Sequence, residues 1–170
     1  MIASFANPNV TGRRLERYCI KLKDGDIEFI DDSYNASPVS VRALINTLSF
    51  RKAPRKVIVW GDMKGLGDRT EFYHSQIASM IGRGNIDLVL TIGEQTQKIC
   101  KELGLSNKLH FPDCEALAPA IPDLIRAGDL IAVKGSGLLK LSQIADIIKL
   151  LGPSTVAGSW RIEDAISCSD

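Results

Sequence analysis

From about residue 56 onward, short, mainly apolar runs alternate with stretches whose apolar residues recur every three or four positions. The runs are 56–60, 88–92, a weaker 109–111, and 130–133. They show no polar alternation, which is how strands buried on both faces of a parallel sheet read. Between them the spacing predicts helices over about 70–82, 95–103 and 114–126, and a last one over about 138–151. Upstream, 14–22 and 26–30 are β-type runs joined by Lys23-Asp24-Gly25, and Asp-Gly is a strong hairpin signal. Ser37 then caps, and Pro38 opens, a helix to about Phe50 that places Val41, Leu44, Ile45 and Leu48 on one face.

Strand and helix in alternation predict an α/β fold, a doubly wound and mostly parallel sheet with right-handed crossovers. The opening hairpin supplies its edge. Residues 1–10, with Asn7-Pro8-Asn9, read as the remnant of an interdomain linker, and 11–152 as the domain. After Gly152-Pro153-Ser154 ends the last helix, 153–170 is polar apart from Trp160 and Ile162 and reads as a tail or a short docking helix.

Composition narrows the function. The 170 residues, 45% of them apolar, suffice for one domain with a core of its own. Lys plus Arg (21) nearly balances Asp plus Glu (20), so there is no basic field for nucleic acid. Cys19, Cys100, Cys114 and Cys168 form no CxxC pair, and His74 and His110 lie far apart, so no metal site is predicted and reduced thiols are expected. No run approaches the roughly 20 apolar residues that span a bilayer, nor does a signal core follow Met1. A soluble, cytoplasmic protein is expected.

Parallel strands all point one way, so the residues that follow them gather on a single rim, where open α/β sheets bind ligands. Those residues are polar: Asp31-Asp32-Ser33-Tyr34-Asn35, Gly61-Asp62-Met63, Gly93-Glu94 and Lys134-Gly135-Ser136-Gly137. Any one such loop is explained by turning and capping alone; the convergence of four points to a ligand. No G-x-x-x-x-G-K-[ST] occurs, so the chain carries no triphosphate cradle. Gly135-Ser136-Gly137 begins like the dinucleotide fingerprint but has Lys140 where the third glycine belongs, and it follows the last predicted strand.

The segment Asp31-Asp32-Ser33-Tyr34-Asn35-Ala36-Ser37-Pro38 resembles the D-D-S-Y-N-A-N-P signature of the Mur ligase family, in its D-alanyl-D-alanine-adding branch. Three further features agree in order. Gly12-Arg13 is similar to the G-R that opens the family's third domain, Gly61-Asp62-Met63 with His74 to G-D-M-x-E-L-G…H, and Lys134-Gly135-Ser136 to K-G-S-R. The resemblance spans about residues 1–151. It implies a Rossmann-like C-terminal domain that closes over ATP and presents the incoming amine. An N-terminal UDP-sugar domain and a central ATPase domain, the latter holding most of the ATP and Mg2+, would lie elsewhere. The implied substrates are UDP-N-acetylmuramoyl tripeptide, D-alanyl-D-alanine and ATP, with no nucleic acid and no membrane among the partners.

By resemblance, Arg13, Asp32, Tyr34 and Asn35 would meet the nucleotide, and Asp62, Lys134 and Ser136 would form a rim for phosphate or the dipeptide carboxylate. His74 is a weaker candidate, and no catalytic residue is expected in this domain. Each has an ordinary competitor: Asp31 as a loop cap, Tyr34 as a half-buried aromatic, His74 as a packed helix residue. Lys134 is the strongest candidate, because a lysine ending an apolar strand is costly to bury without an anion. The chain departs from the pattern at Gly65, where the family has Glu, and at Gly137, where it has Arg. Two other functions stay open: a free-standing nucleotide- or peptide-binding module, and a related folate- or cyanophycin-adding ligase.

Overall fold

A computed structural model describes residues 12–102 and 104–159. The strands are β1 (Glu16–Leu22), β2 (Gly25–Asp31), β3 (Arg55–Gly61), β4 (Leu88–Ile92), β5 (Lys108–Phe111), β6 (Asp129–Lys134) and β7 (Ser154–Ser159). The helices are α1 (Pro38–Phe50), α2 (Thr70–Arg83), α3 (Glu94–Glu102), α4 (Cys114–Leu117), α5 (Ile121–Leu124) and α6 (Ser142–Lys149). One sheet runs in the order β5-β4-β3-β6-β2-β1-β7. The five strands from β5 to β2 are parallel, and β1 is antiparallel to both β2 and β7.

The period of two along each strand sorts the core into two layers. On one face Phe29, Val57, Val59, Ile131 and Val133 pack under α4, α5 and α6. On the other, Ile30, Ile58, Trp60, Leu130 and Ala132 pack under α1, α2 and α3. The mainly apolar runs of β3 and β6 follow from this, since both of their faces are covered. Helix α1 begins where predicted: Ser37 and Ser40 form a reciprocal cap, and Pro38 occupies the first turn.

Three predicted features are corrected. The hairpin is not the edge of the sheet, because β7 pairs with β1 and covers it. Residues 154–159 are therefore strand, not tail. Their turn is set by Lys21 N–H donating to the Pro153 carbonyl, with Gly152 packed so closely on the Lys21 carbonyl that a Cβ would lie 1.9 Å from it. Residues 154–158 are exposed throughout, so no hydrophobic period marks the strand. The helix predicted over 114–126 breaks into α4, a 3-10 turn and α5, with Pro119 and Pro122 at the breaks, where proline removes an N–H and restricts the residue before it. The last helix is shorter than predicted: a 3-10 turn at Gly137–Leu139 leads through Lys140, at φ 54°, into α6. The linker assigned to 1–10 and any docking helix over 160–170 lie outside the described residues.

Candidate functional site

The chain leaves β2 for α1 on one face of the sheet and leaves β6, its neighbour, for α6 on the other. Divergence of this kind opens a crevice beyond the strand ends, the usual ligand position in open α/β sheets. The last residues of β2 and β6, and the loop that enters β1, all meet there.

Asp31 and Asp32 alternate across the sheet. Asp31 faces α6: it accepts from Lys149 Nζ at 2.5 Å and from the backbone N–H and hydroxyl of Ser33 at 3.2 and 2.6 Å. That is the loop-capping role among its two predicted alternatives. Asp32 faces α1, where it accepts from Lys134 Nζ at 2.6 Å and from the Leu15 N–H at 3.2 Å. Burial pushes the Asp32 carboxyl above its ordinary range, with the Lys134 ammonium and the Leu15 N–H pulling it back. Lys134 is only 2% exposed and also donates to the Asn35 carbonyl at 2.9 Å. The predicted anion partner for Lys134 is thus supplied by the protein itself.

Beside this pair lies a cleft of about 360 Å³, lined by Arg14, Asp32, Tyr34, Asn35, Ser40 and Lys134 among others. Tyr34 is 55% exposed, and its ring carries the Arg14 guanidinium at 4.5 Å from the centroid. The Asn35 side chain is exposed. The cleft therefore joins an aromatic face, a buried carboxylate, a free amide and a guanidinium, three of them on one five-residue loop.

Sequence reasoning missed Arg14. Arg13, the predicted ligand, turns to the opposite face: it donates to the Ser142 carbonyl at 3.1 Å and to both Asp146 carboxylate oxygens at 2.9 and 3.1 Å. Arg13 and Leu15 both take left-handed backbone, at φ 45° and 51°, which turns the chain sharply on either side of Arg14. No pattern in the sequence signals this, because the left-handed turns lie ahead of β1, where strand alternation does not yet apply.

The remaining rim candidates are built into the scaffold. Asp62 is fully buried and accepts from the Gln95 and Thr96 N–H groups at 3.3 and 2.9 Å, so its carboxylate fills the N-terminus of α3. Lys64 Nζ meets it at 3.2 Å from the solvent side. Ser136 is buried, its N–H bonding the Asp62 carbonyl and its hydroxyl accepting from the Leu138 N–H. His74, wholly buried, accepts from the Met63 N–H through Nε2 at 3.0 Å and donates through Nδ1 to the Thr70 carbonyl at 2.7 Å. It stacks on Trp60, and burial lowers its pKa, so it is a neutral pin for the 61–66 loop. The structure brings Asp32, Tyr34, Asn35 and Lys134 together at the cleft and leaves Arg13 and His74 away from its lining.

At the two departures, Gly65 stands at φ 76° with open space around it, whereas a Cβ at Gly137 would lie 3.0 Å from the Tyr34 carbonyl. Among the described residues, no three His, Cys, Asp or Glu side chains gather closely enough to hold a metal ion. Nor is any described helix long and apolar enough to cross a membrane.

A family model described as Mur ligase, glutamate ligase domain, matches residues 13–137. The chain is 36% identical over 146 residues to the UDP-N-acetylmuramoyl-tripeptide–D-alanyl-D-alanine ligase of Bacillus subtilis, covering 82% of this chain and 31% of that protein. It is 33% identical over 144 residues to the same-named ligase of Escherichia coli, covering 84% of this chain and 30% of that one. Among solved structures, MurF from Acinetobacter baumannii superposes with a TM-score of 0.67 at 26% identity, over 80% of this chain and 30% of that one. The MurF ligase of Thermotoga maritima, solved in complex with ADP, shares the fold at a TM-score of 0.66 and 22% identity, over 82% of this chain and 31% of that one. The chain spans about a third of the length of the curated relatives it matches.

Proposed function

This chain belongs to the Mur ligase family as its glutamate ligase domain, and from that premise we propose that it is the nucleotide-closing, acceptor-presenting part of a ligase that adds D-alanyl-D-alanine to UDP-N-acetylmuramoyl tripeptide. The observation that carries this reading is the cleft at the β2/β6 crevice, where Arg14, Asp32, Tyr34, Asn35 and Lys134 converge. In this reaction ATP phosphorylates the terminal carboxylate of the tripeptide. The amine of the dipeptide then attacks the acyl phosphate, and an amide forms with release of ADP and phosphate.

The residues of the cleft suit the nucleoside end of ATP. Tyr34 offers a ring face for the base and Asn35 an amide for its edge. Asp32 has lone pairs left on both oxygens for ribose hydroxyls, and Arg14 brings an exposed guanidinium for the adjoining phosphate. The triphosphate itself finds no glycine-rich cradle in this sequence. Mg2+ finds no cluster among the described residues, and the Asp32 carboxylate is already held by Lys134 and Leu15. Both groups would be held by the remainder of a longer enzyme. What this domain contributes is closure, which excludes water from a hydrolysable acyl phosphate and orients the amine. A cytoplasmic location goes with ATP and a UDP-linked substrate.

Two assays test the reading. The 170-residue chain alone, given ATP, tripeptide and dipeptide, should form no ADP; in the complete ligase, Asp32→Asn should raise the KM for ATP. ADP formed by the chain alone, or an unchanged KM in the variant, would overturn it.

A further inference from the structure

We infer that Lys134 is a positioning residue for the nucleotide cleft, acting through Asp32 and Asn35, and not a contact to the phosphates or to the dipeptide carboxylate. The inference rests on the reading that this cleft takes the nucleoside. Lys134 ends β6 on the same face as α1, and its stem is wrapped by the core. Its ammonium has three protons. One bonds the Asp32 carboxylate at 2.6 Å and one the Asn35 carbonyl at 2.9 Å. Both acceptors belong to the loop that leaves β2, so a single cation clamps the two ends of the turn that carries Tyr34.

That clamp is charge-assisted at one end and dipolar at the other, and almost no solvent reaches it. The third proton has no acceptor among these contacts, but the ammonium is held between two loop acceptors at 2% exposure, and drawing it outward to a phosphate would leave a buried carboxylate unpaired. A second cation, Arg14, already lines the same cleft with its guanidinium over the Tyr34 ring. The labour is divided: Arg14 is the cation free to meet an anion, and Lys134 sets the carboxylate, the ring and the amide at their spacing. Asp32 extends the same order to the lead-in segment by accepting from the Leu15 N–H, and the Tyr34 N–H donates to the Arg13 carbonyl at 3.2 Å.

The test compares adenosine and ADP as inhibitors of the complete ligase, in Lys134→Met and Asp32→Asn. A positioning residue weakens both inhibitors alike, by about tenfold for loss of one charge-assisted bond, and leaves the KM for dipeptide within about twofold. Weakening of ADP with adenosine unchanged would place Lys134 on phosphate and overturn the inference. So would a rise confined to the dipeptide KM. Because Lys134→Met strands a buried carboxylate, Asp32→Asn/Lys134→Met serves if the single variant does not fold, read against Asp32→Asn alone: a further loss confined to ADP overturns the inference, and none confined to ADP upholds it. Adenosine inhibition unchanged in Asp32→Asn would instead remove the nucleoside reading of the cleft, and the inference with it; the result in Lys134→Met alone tells the two failures apart.

Discussion

Asp31 and Asp32 are adjacent in the chain, yet their carboxylates serve opposite faces of the sheet, Asp31 on Lys149 at 2.5 Å and Asp32 on Lys134 at 2.6 Å. Strand alternation alone produces this, and it separates the two residues in function. Asp31 holds α6 against the sheet, so Asp31→Asn should lower stability by about 1–3 kcal/mol, the usual cost of weakening a buried charged hydrogen bond. Nucleotide inhibition of the complete ligase should be unaffected. Asp32→Asn should show the reverse emphasis, with weaker nucleotide binding. Urea unfolding and inhibition constants measured on both variants check the separation; equal loss of nucleotide affinity in the two would refute it.

Arg13 and Arg14 divide in the same way. Arg13 holds Ser142 and Asp146 on α6, and Arg14 lies over Tyr34. The Arg13 pair is partly exposed and is discounted for screening, so Arg13→Ala should cost about 1 kcal/mol and lose less in high salt. Arg14→Ala should leave thermal stability within about 0.5 kcal/mol, as surface substitutions usually do, while weakening ADP more than adenosine. That contrast between inhibitors is the decisive measurement, and a stronger loss of ADP in Arg13→Ala would restore the arginine that the motif first suggested.

The buried His74 gives the fold a pH dependence. Burial lowers its pKa in the folded state below the ordinary value, against a partial pull from the Thr70 carbonyl and Asp62. The unfolded chain therefore binds the proton first as pH falls. The His74 contribution is complete above about pH 6.5, the unfolded value, and declines below it. His110 is lowered by burial too and acts with the same sign. His74→Gln, whose amide oxygen can still accept from the Met63 N–H, should flatten the loss of stability between about pH 7.5 and 5.5 by up to one proton per molecule. Urea midpoints across that window check it. A slope unchanged from the parent chain would mean the imidazole is not buried neutral.

Much of this was legible in the sequence, and what was not shares a physical reason. The mainly apolar runs of β3, β4 and β6 and the spacing of α1 and α2 were visible because each buries a continuous face. Strand β7 was not, because residues 154–158 are exposed and leave no period. The loop carrying Asp32, Tyr34 and Asn35 could be found from residue type and order. Which partner each rim residue takes could not, since Lys134 and Asp32 lie 102 positions apart and meet only through β2/β6 pairing. The same limit hid the difference between a rim ligand and a helix cap at Asp62, where both roles want a carboxylate after a strand.

Asp62 is where that difference can be measured. Its two oxygens take the first free N–H groups of α3, and Gly93 makes room for them: it stands at φ 109°, and a Cβ there would lie 2.4 Å from the Asp62 carboxyl carbon. No side chain can be accommodated without displacing the carboxylate. Gly93→Ala should therefore cost more than the loss of the cap alone, because it adds backbone strain of about 1–3 kcal/mol to the roughly 1 kcal/mol of a lost helix cap. Asp62→Ala should lose the cap and leave the Gln95 and Thr96 N–H groups without their acceptor. In the double variant the alanine at 93 no longer meets a carboxylate, so the two effects should be markedly less than additive. A thermodynamic cycle by urea unfolding checks this. If Asp62 were instead a ligand on an open rim, Asp62→Ala would keep its stability and weaken substrate binding, and the cycle would show no coupling to Gly93.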